Sequence, residues 1–170
     1  MPLKNRVRPR FSPIGLRAPR PGDLGRVVAL HGELYAREFG YDTTFEALVA
    51  EIVAGFRRRF DPRRERAWIA VRGGEVVGSV FLVAQSRTTA KLRLLIIHPS
   101  ARGESLGRRL TRACLAFARR AGFRRVVLWT QSHLAAARRI YEREGFRLVR
   151  REPHRSFGKR LVGEYWMLRL

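Results

Sequence analysis

The segment from Leu94 to Leu110 constrains the fold more than any other part of the chain. An apolar run, Leu94-Leu-Ile-Ile97, is halted by Pro99, a loop containing Gly103 and Gly107 follows, and apolar residues then recur at helical spacing. Leu106, Leu110, Ala113, Cys114, Phe117, Ala118 and Ala121 share one helical face, so a buried strand over Leu92 to Ile97 feeds straight into an amphipathic helix. That succession belongs to layered α/β architectures. Loop amides from Gly103 to Arg108 can point at an anion at the positive end of the helix dipole, and Arg102, Arg108 or Arg109 can add charge-assisted bonds. Taken alone, the loop is either an anion site or a turn that needs glycine.

The flanking sequence predicts the other elements. Ile14 to Ala18 reads as a short strand, and Pro21-Gly22-Asp23 as a turn and helix cap. Leu24, Val27, Val28, His31, Leu34 and Tyr35 mark a first helix that stops at Gly40. A second helix, capped by Thr43 or Thr44, carries Phe45, Leu48, Val49, Ile52, Val53, Phe56 and Phe60 and ends before Pro62. Ala67 to Val71 and Val76 to Ala84 form a hairpin through Gly73-Gly74. Val126 to Trp129 is a strand, and Leu134, Ala137, Ile140 and Tyr141 mark a helix capped at Gly145. Phe146 to Val149 and Glu164 to Leu168 close the chain as strands. The expected order is β-α-α-β-β-β-α-β-α-β-β, an α/β (α+β) domain with about seven strands in one mixed sheet and four main helices.

With 170 residues the chain fits one domain. Residues 1–12 read as a basic, proline-containing tail and residues 13–170 as the domain. An Arg-rich, acid-free start also resembles a transit peptide, but its prolines break an amphipathic helix. No segment approaches the roughly 20 apolar residues of a membrane helix, and the single Cys114 excludes an internal disulfide or a multi-cysteine metal site. No apolar signal core is seen at the N-terminus, so a reducing cytoplasm is the expected location. The formal charge of +22 creates a field that attracts polyanions, and weak nonspecific nucleic-acid binding is expected from it.

Two ordered motifs carry a family resemblance. The loop resembles the acyl-CoA pyrophosphate loop of the GNAT superfamily of N-acetyltransferases: Arg102 and Gly107 match its ends, and Ser105 stands where the middle glycine is usual. The stretch Ala137-Arg-Arg-Ile-Tyr141-Glu-Arg-Glu-Gly145-Phe146 is similar to the family's helix-to-strand segment, and the element order agrees from about Ile14 to Leu170. The likeness extends to the acetyltransferase halves of proteins that fuse this domain to a MarR-type winged-helix regulator; such a regulator is not expected within these 170 residues. The resemblance implies transfer of an acetyl group from acetyl-CoA to a primary amine of a small molecule or peptide. It implies that Arg102, Gly103, Glu104, Ser105, Leu106, Gly107 and Arg108 hold the cofactor's diphosphate, that Ala137 adjoins it, and that backbone groups of Leu95, Ile96 and Ile97 bind its pantetheine arm where two strands splay apart. Tyr141 matches the tyrosine that protonates the departing thiolate; a phenol of pKa about 10 can donate to a thiolate whose conjugate acid lies near about 8.5. Family members often pair through their C-terminal strands, so a monomer or a homodimer is expected.

Three departures bear on the mechanism. Ser105 must take its turn with a side chain present. Leu134 stands where many members carry an asparagine, and Trp129 where some carry a catalytic carboxylate. The general base is therefore unassigned; His98, before Pro99 at a turn, reads as structural. The family's acceptor region lies between the first two helices and the last strands, and here Asp23 to Glu51 hold six acids against two arginines, net −4. Glu38, as candidate base, and Asp42, with Tyr35 and Tyr41 as walls, would then form a pocket for a cationic amine; solvated helix faces are the alternative. No metal site is expected. A basic nucleic-acid-associated protein and an acetyl-CoA sensor on the same scaffold are the rival readings, although no helix-turn-helix, zinc-finger or aromatic RNA-binding signature supports the first.

Overall fold

The computed structural model describes residues 12–170, so all of the expected basic tail but its last residue lies outside the described residues. The elements run β1 (Gly15–Arg17), α1 (Asp23–Phe39), α2 (Thr43–Arg58), β2 (Arg66–Arg72), β3 (Glu75–Ala84) and β4 (Thr89–Ile97), then a 3₁₀ turn (Pro99–Ala101), α3 (Leu106–Arg120), β5 (Arg125–Gln131), α4 (Ala135–Arg143), β6 (Arg147–Ser156) and β7 (Lys159–Arg169). The order is the one the sequence predicts. The strands form one sheet in the order β1-β2-β3-β4-β5-β7-β6. Every neighbouring pair is antiparallel except β4 and β5.

Helices cover both faces of the sheet, each through an apolar stripe. On one face Leu110, Cys114 and Ala118 of α3 pack on Val80, Leu82, Leu92 and Leu128. On the other, Val49, Val53 and Phe56 of α2 stand at helical spacing and join Val27 of α1 over Ile69 and Phe81. Each such side chain, removed from water, contributes roughly 1.5–3 kcal/mol. α1 stops at Gly40, whose φ of 68° lets the chain reverse and return its N–H to the last helical turn.

Several local expectations are corrected. The cap of α2 is Asp42, whose carboxylate accepts from Thr44 N at 2.9 Å, so the shorter-reaching threonines follow the cap. Asp23 opens α1 after Gly22, and its carboxylate ties the preceding turn by accepting from Arg20 N at 2.6 Å and pairing with Arg17. Leu134 precedes α4 and does not belong to it. The last two strands are twice the expected length because β6 is an exposed edge strand whose charged residues show no burial alternation. They join through Phe157 and Gly158, both at positive φ (57° and 75°), the form of a two-residue hairpin turn without its usual Asn-Gly signature.

Two buried polar groups anchor this frame. Glu164 on β7 has no exposed surface; it accepts from Arg151 Nε at 3.0 Å and Trp166 Nε1 at 3.1 Å, with Arg138 Nε 3.0 Å away. His31 on α1 is buried with Nδ1 2.8 Å from Val27 O, and because a carbonyl only accepts, the ring donates from Nδ1 and leaves Nε2 bare. Burial lowers its pKa to about 4, against a weaker opposing effect of the bond to Val27. Glu164→Ala should lower unfolding stability in urea by about 2 kcal/mol or more, since it strands two guanidiniums, with Glu164→Gln milder. For His31 the folded pKa lies below the unfolded value, so stability is complete above about pH 6.5 and falls toward pH 4 as the unfolded chain takes up the proton. Between pH 7 and 5 the loss should be about 2 kcal/mol, and His31→Gln should lack that component in urea titrations at the two pH values.

Candidate active site

The loop after β4 is organised by local bonds. His98 Nδ1 accepts from Ser100 N at 3.1 Å and caps the 3₁₀ turn, the structural role expected of it. The chain then reaches α3 through two residues of left-handed backbone, Gly103 (φ 80°) and Ser105 (φ 57°). Ser105 takes the conformation that a glycine there would adopt freely, and no side chain caps the first amides of α3. Gly107 lets α3 approach α4 closely: a Cβ there would stand 2.6 Å from Cδ1 of Ile140 on α4, and that side chain would have to turn aside.

The three arginines of this loop have different tasks. Arg102, half exposed, donates from Nη2 to Glu38 Oε1 at 2.6 Å. Arg108 donates to Glu144 at 2.7 Å; burial works to raise the Glu144 pKa, but Arg108 and Arg112 together hold it below its ordinary value. Arg109 turns back to the Ile14 carbonyl at 3.0 Å. Glu104 pairs with Arg72, which also bonds Ser100 O at 3.1 Å and braces the loop against β2.

Beside the loop the sheet opens. β4 and β5 pair only at Thr89–Lys91 with Arg125–Val127. Beyond Lys91, β4 is diverted by a bulge opposite Ser79 and Phe81, with Leu94 at φ 53° and its carbonyl taken by Ser79 Oγ at 2.9 Å. Leu95 and Ile97 pack toward α3 and α4, and Ile96 is buried. Their main chain borders the opening.

The opening leads to a cavity of about 140 Å³ between α1, α2, β4, β5 and the start of α4. Tyr141 and Ala137 line it from α4, Leu95 from β4. Tyr141 is 5 % exposed, burial first and neighbouring groups second hold its phenol well above its ordinary pKa, and its hydroxyl has no hydrogen-bond partner among the described residues. Tyr35 and Tyr41 form the expected walls, with ring centroids 5.3 Å apart; Phe45 lies 4.4 Å from Tyr35, and Phe157 stacks on Tyr41 at 5.1 Å. Burial, with a smaller effect of Glu38, pushes the Tyr35 pKa up to about 12. Trp129 forms the β5 wall; Gly163 beside it has no room for a Cβ, which would lie 2.6 Å from Trp129 Nε1.

Neither Glu38 nor Asp42 lines this cavity. Glu38 is drawn to Arg102 and Asp42 to its cap, so the acidic stretch of α1 and α2 does not furnish the pocket's charge. The basic residues that do line it were missed: Lys91 and Arg93 of β4, and His31. A helix-face histidine and alternating cations in a strand both read as ordinary packing and ordinary surface. Only the covering by α2 changes their meaning.

The sequence profile described as the Acetyltransferase (GNAT) family matches residues 31–146. An N-acetylaspartate synthetase of Danio rerio is 39% identical over 85 residues, covering 48% of this chain and 29% of its own length. A mycothiol acetyltransferase of Amycolatopsis mediterranei is 28% identical over 155 residues, covering 86% of this chain and 50% of its own. This chain thus spans half or less of the length of these curated relatives. Among solved structures, an acetyltransferase of Salmonella typhimurium with its cofactor acetyl-CoA superposes with a TM-score of 0.75 at 20% identity, covering 92% of this chain and 93% of that one. A ribosomal-protein-alanine N-acetyltransferase of Brucella melitensis gives 0.74 at 18% identity, covering 92% and 99%. The profile match spans more than half of the chain, including the loop, the opened strands and Tyr141, and the chain therefore belongs to the GNAT acetyltransferase family.

Proposed function

We propose that the protein transfers an acetyl group from acetyl-CoA to a primary amine of a small molecule by direct attack. The observation that carries this reading is the gap between β4 and β5 with an unpartnered Tyr141 hydroxyl in the cavity behind it; the uncapped N-terminus of α3 lies beyond the loop at the end of β4. These features fit acetyl-CoA in turn. The first amides of α3, with Arg102 beside them, suit a diphosphate; the main chain of Leu95 to Ile97, unpaired on the side that faces β5, suits the amides of the pantetheine arm.

Acetyl-CoA supplies a thioester carbon and a sulfur leaving group. The amine nitrogen bonds to that carbon, the carbon–sulfur bond breaks, the nitrogen gives up a proton to solvent water and the sulfur takes one from Tyr141. Tyr141 holds the second proton at its hydroxyl. Burial keeps the phenol protonated far above neutral pH, so a proton is present when the thiolate forms; the same shift makes the phenol a weaker acid, and transfer to sulfur is completed as the phenolate regains a proton from solvent. Glu38, held by Arg102, we assign to the cofactor loop instead of to proton removal.

Arg102→Ala should weaken acetyl-CoA binding by about tenfold or more in calorimetry, the effect of one charge-assisted bond. Glu38→Gln should leave that affinity equal or tighter and should not abolish turnover. Tyr141→Phe should bind acetyl-CoA as the wild type does while thiol release with an amine falls by about 10²-fold or more. Wild-type kcat should show no alkaline loss up to about pH 10, because the phenol is protonated there. Unchanged turnover in Tyr141→Phe would remove it from the mechanism.

A further inference from the structure

Lys91 and Arg93 stand opposite Val83 and Phe81 of β3, so both side chains leave the sheet on the face covered by α1 and α2. Same-face neighbours on a strand are roughly 7 Å apart, close enough for both to reach one small ligand. Both are partly buried and line the cavity, and no aspartate or glutamate lines it with them. Among the described residues neither is hydrogen-bonded or paired to a carboxylate. This sets them apart from the other partly buried cations among the described residues: Arg17, Arg72 and Arg138 pair with acids, and Arg64 donates to two backbone carbonyls.

Cations withdrawn from water without a counter-ion are costly to keep. Burial lowers the pKa of both, with Arg93 adding to the effect on Lys91. A ligand with an anionic group would supply the missing counter-charge. The cavity, about 140 Å³, is close to the roughly 150 Å³ that accommodates benzene in an engineered protein core, so the ligand presents one small head group there.

We propose that Lys91 and Arg93 hold a carboxylate carried by the acceptor, so that the substrate is a small amine bearing an acid group, as amino acids do. The proposal rests on the acetyl-transfer reading and names its substrate class. The planar guanidinium of Arg93 matches a carboxylate through paired N–H groups, and Lys91 adds a point charge. The same two cations repel polyamines and disfavour the ammonium form of the bound acceptor, which brings its nitrogen to the neutral, attacking state at lower pH. His31, neutral with Nε2 bare, adds no positive charge to oppose this placement.

The test pairs each of several α-amino acids with its own amide, which keeps the amine and side chain and removes only the acid. With saturating acetyl-CoA, kcat/KM for the acids should exceed that for the amides by at least about tenfold. Arg93→Met and Lys91→Met should each shrink that ratio by about tenfold, the effect of a lost charge-assisted contact. Melting temperatures confirm that the variants fold. In parallel, binding of the same acids and amides is followed through tryptophan fluorescence, to which Trp129 in the cavity wall contributes and which requires no turnover. Acids favoured in binding but no acetyl transfer would sustain the carboxylate site and overturn the catalytic reading. Acetyl transfer to amides or polyamines as readily as to acids, or a preference that survives both substitutions, would overturn the carboxylate site alone. Absence of both binding and turnover for every acid would overturn it as well.

Discussion

The parallel pair β4 and β5 holds together over three residues of each strand and then parts, and the site exists because it parts. A bulge turns β4 at Leu94, Ser79 fixes the diverted carbonyl, and the strand ends run on without shared hydrogen bonds. An open seam in a sheet interior leaves main-chain groups without partners, which a fold tolerates only where something else satisfies them. Around that seam α3 and α4 are locked together by Gly107 against Ile140, and Trp129 by Gly163. The seam is therefore a fixed slot with a helix end at one side and an aromatic cavity at the other.

Charge is distributed with the same economy. Half of the fourteen acids of the chain pair with particular guanidiniums: Glu144 and Glu164 take two each, and Asp23, Glu38, Glu75, Glu104 and Glu152 take one each. The surplus arginines stand largely in solvent, many on the edge strand β6, where like charges discourage pairing with other sheets. Net charge thus says little about the cavity. Its character is set by two strand residues, Lys91 and Arg93, that α2 happens to cover.

The element order and the loop were legible in the sequence because they rest on periodicity, proline and glycine, which act locally. The stripe of Val49, Val53 and Phe56 could only be a helix face, and the Leu92 to Ile97 run before Pro99 only a buried strand. The lengths of β6 and β7 were hidden because an Arg-rich edge strand shows neither burial nor alternation, and because Phe157-Gly158 is an unusual turn pair. In the site, Tyr35, Tyr41, Leu95, Ala137 and Tyr141 surround the cavity as expected. Glu38 and Asp42 do not, since a local cap and a cross-loop ion pair outcompete a pocket for carboxylates that sit near helix ends. His31, Lys91 and Arg93 depend on which helix lies over which strand, a tertiary fact that no local pattern carries.

The stacking of Phe157 on Tyr41, and the bond from Asp42 N to the Phe157 carbonyl at 3.2 Å, join the α1–α2 junction to the tip of the last hairpin. A second contact, Tyr41 to His133, spans 92 positions of sequence. Closures of that range come late, because the chain must lose the entropy of a long loop before the contact stabilises anything. The elements from β4 to α4 are consecutive in sequence, and the contacts they make with one another need no closure of that length. During folding the elements between β4 and α4 can thus associate first, and the wall formed by Tyr41 and Phe157 is completed only when the final two strands reach their places.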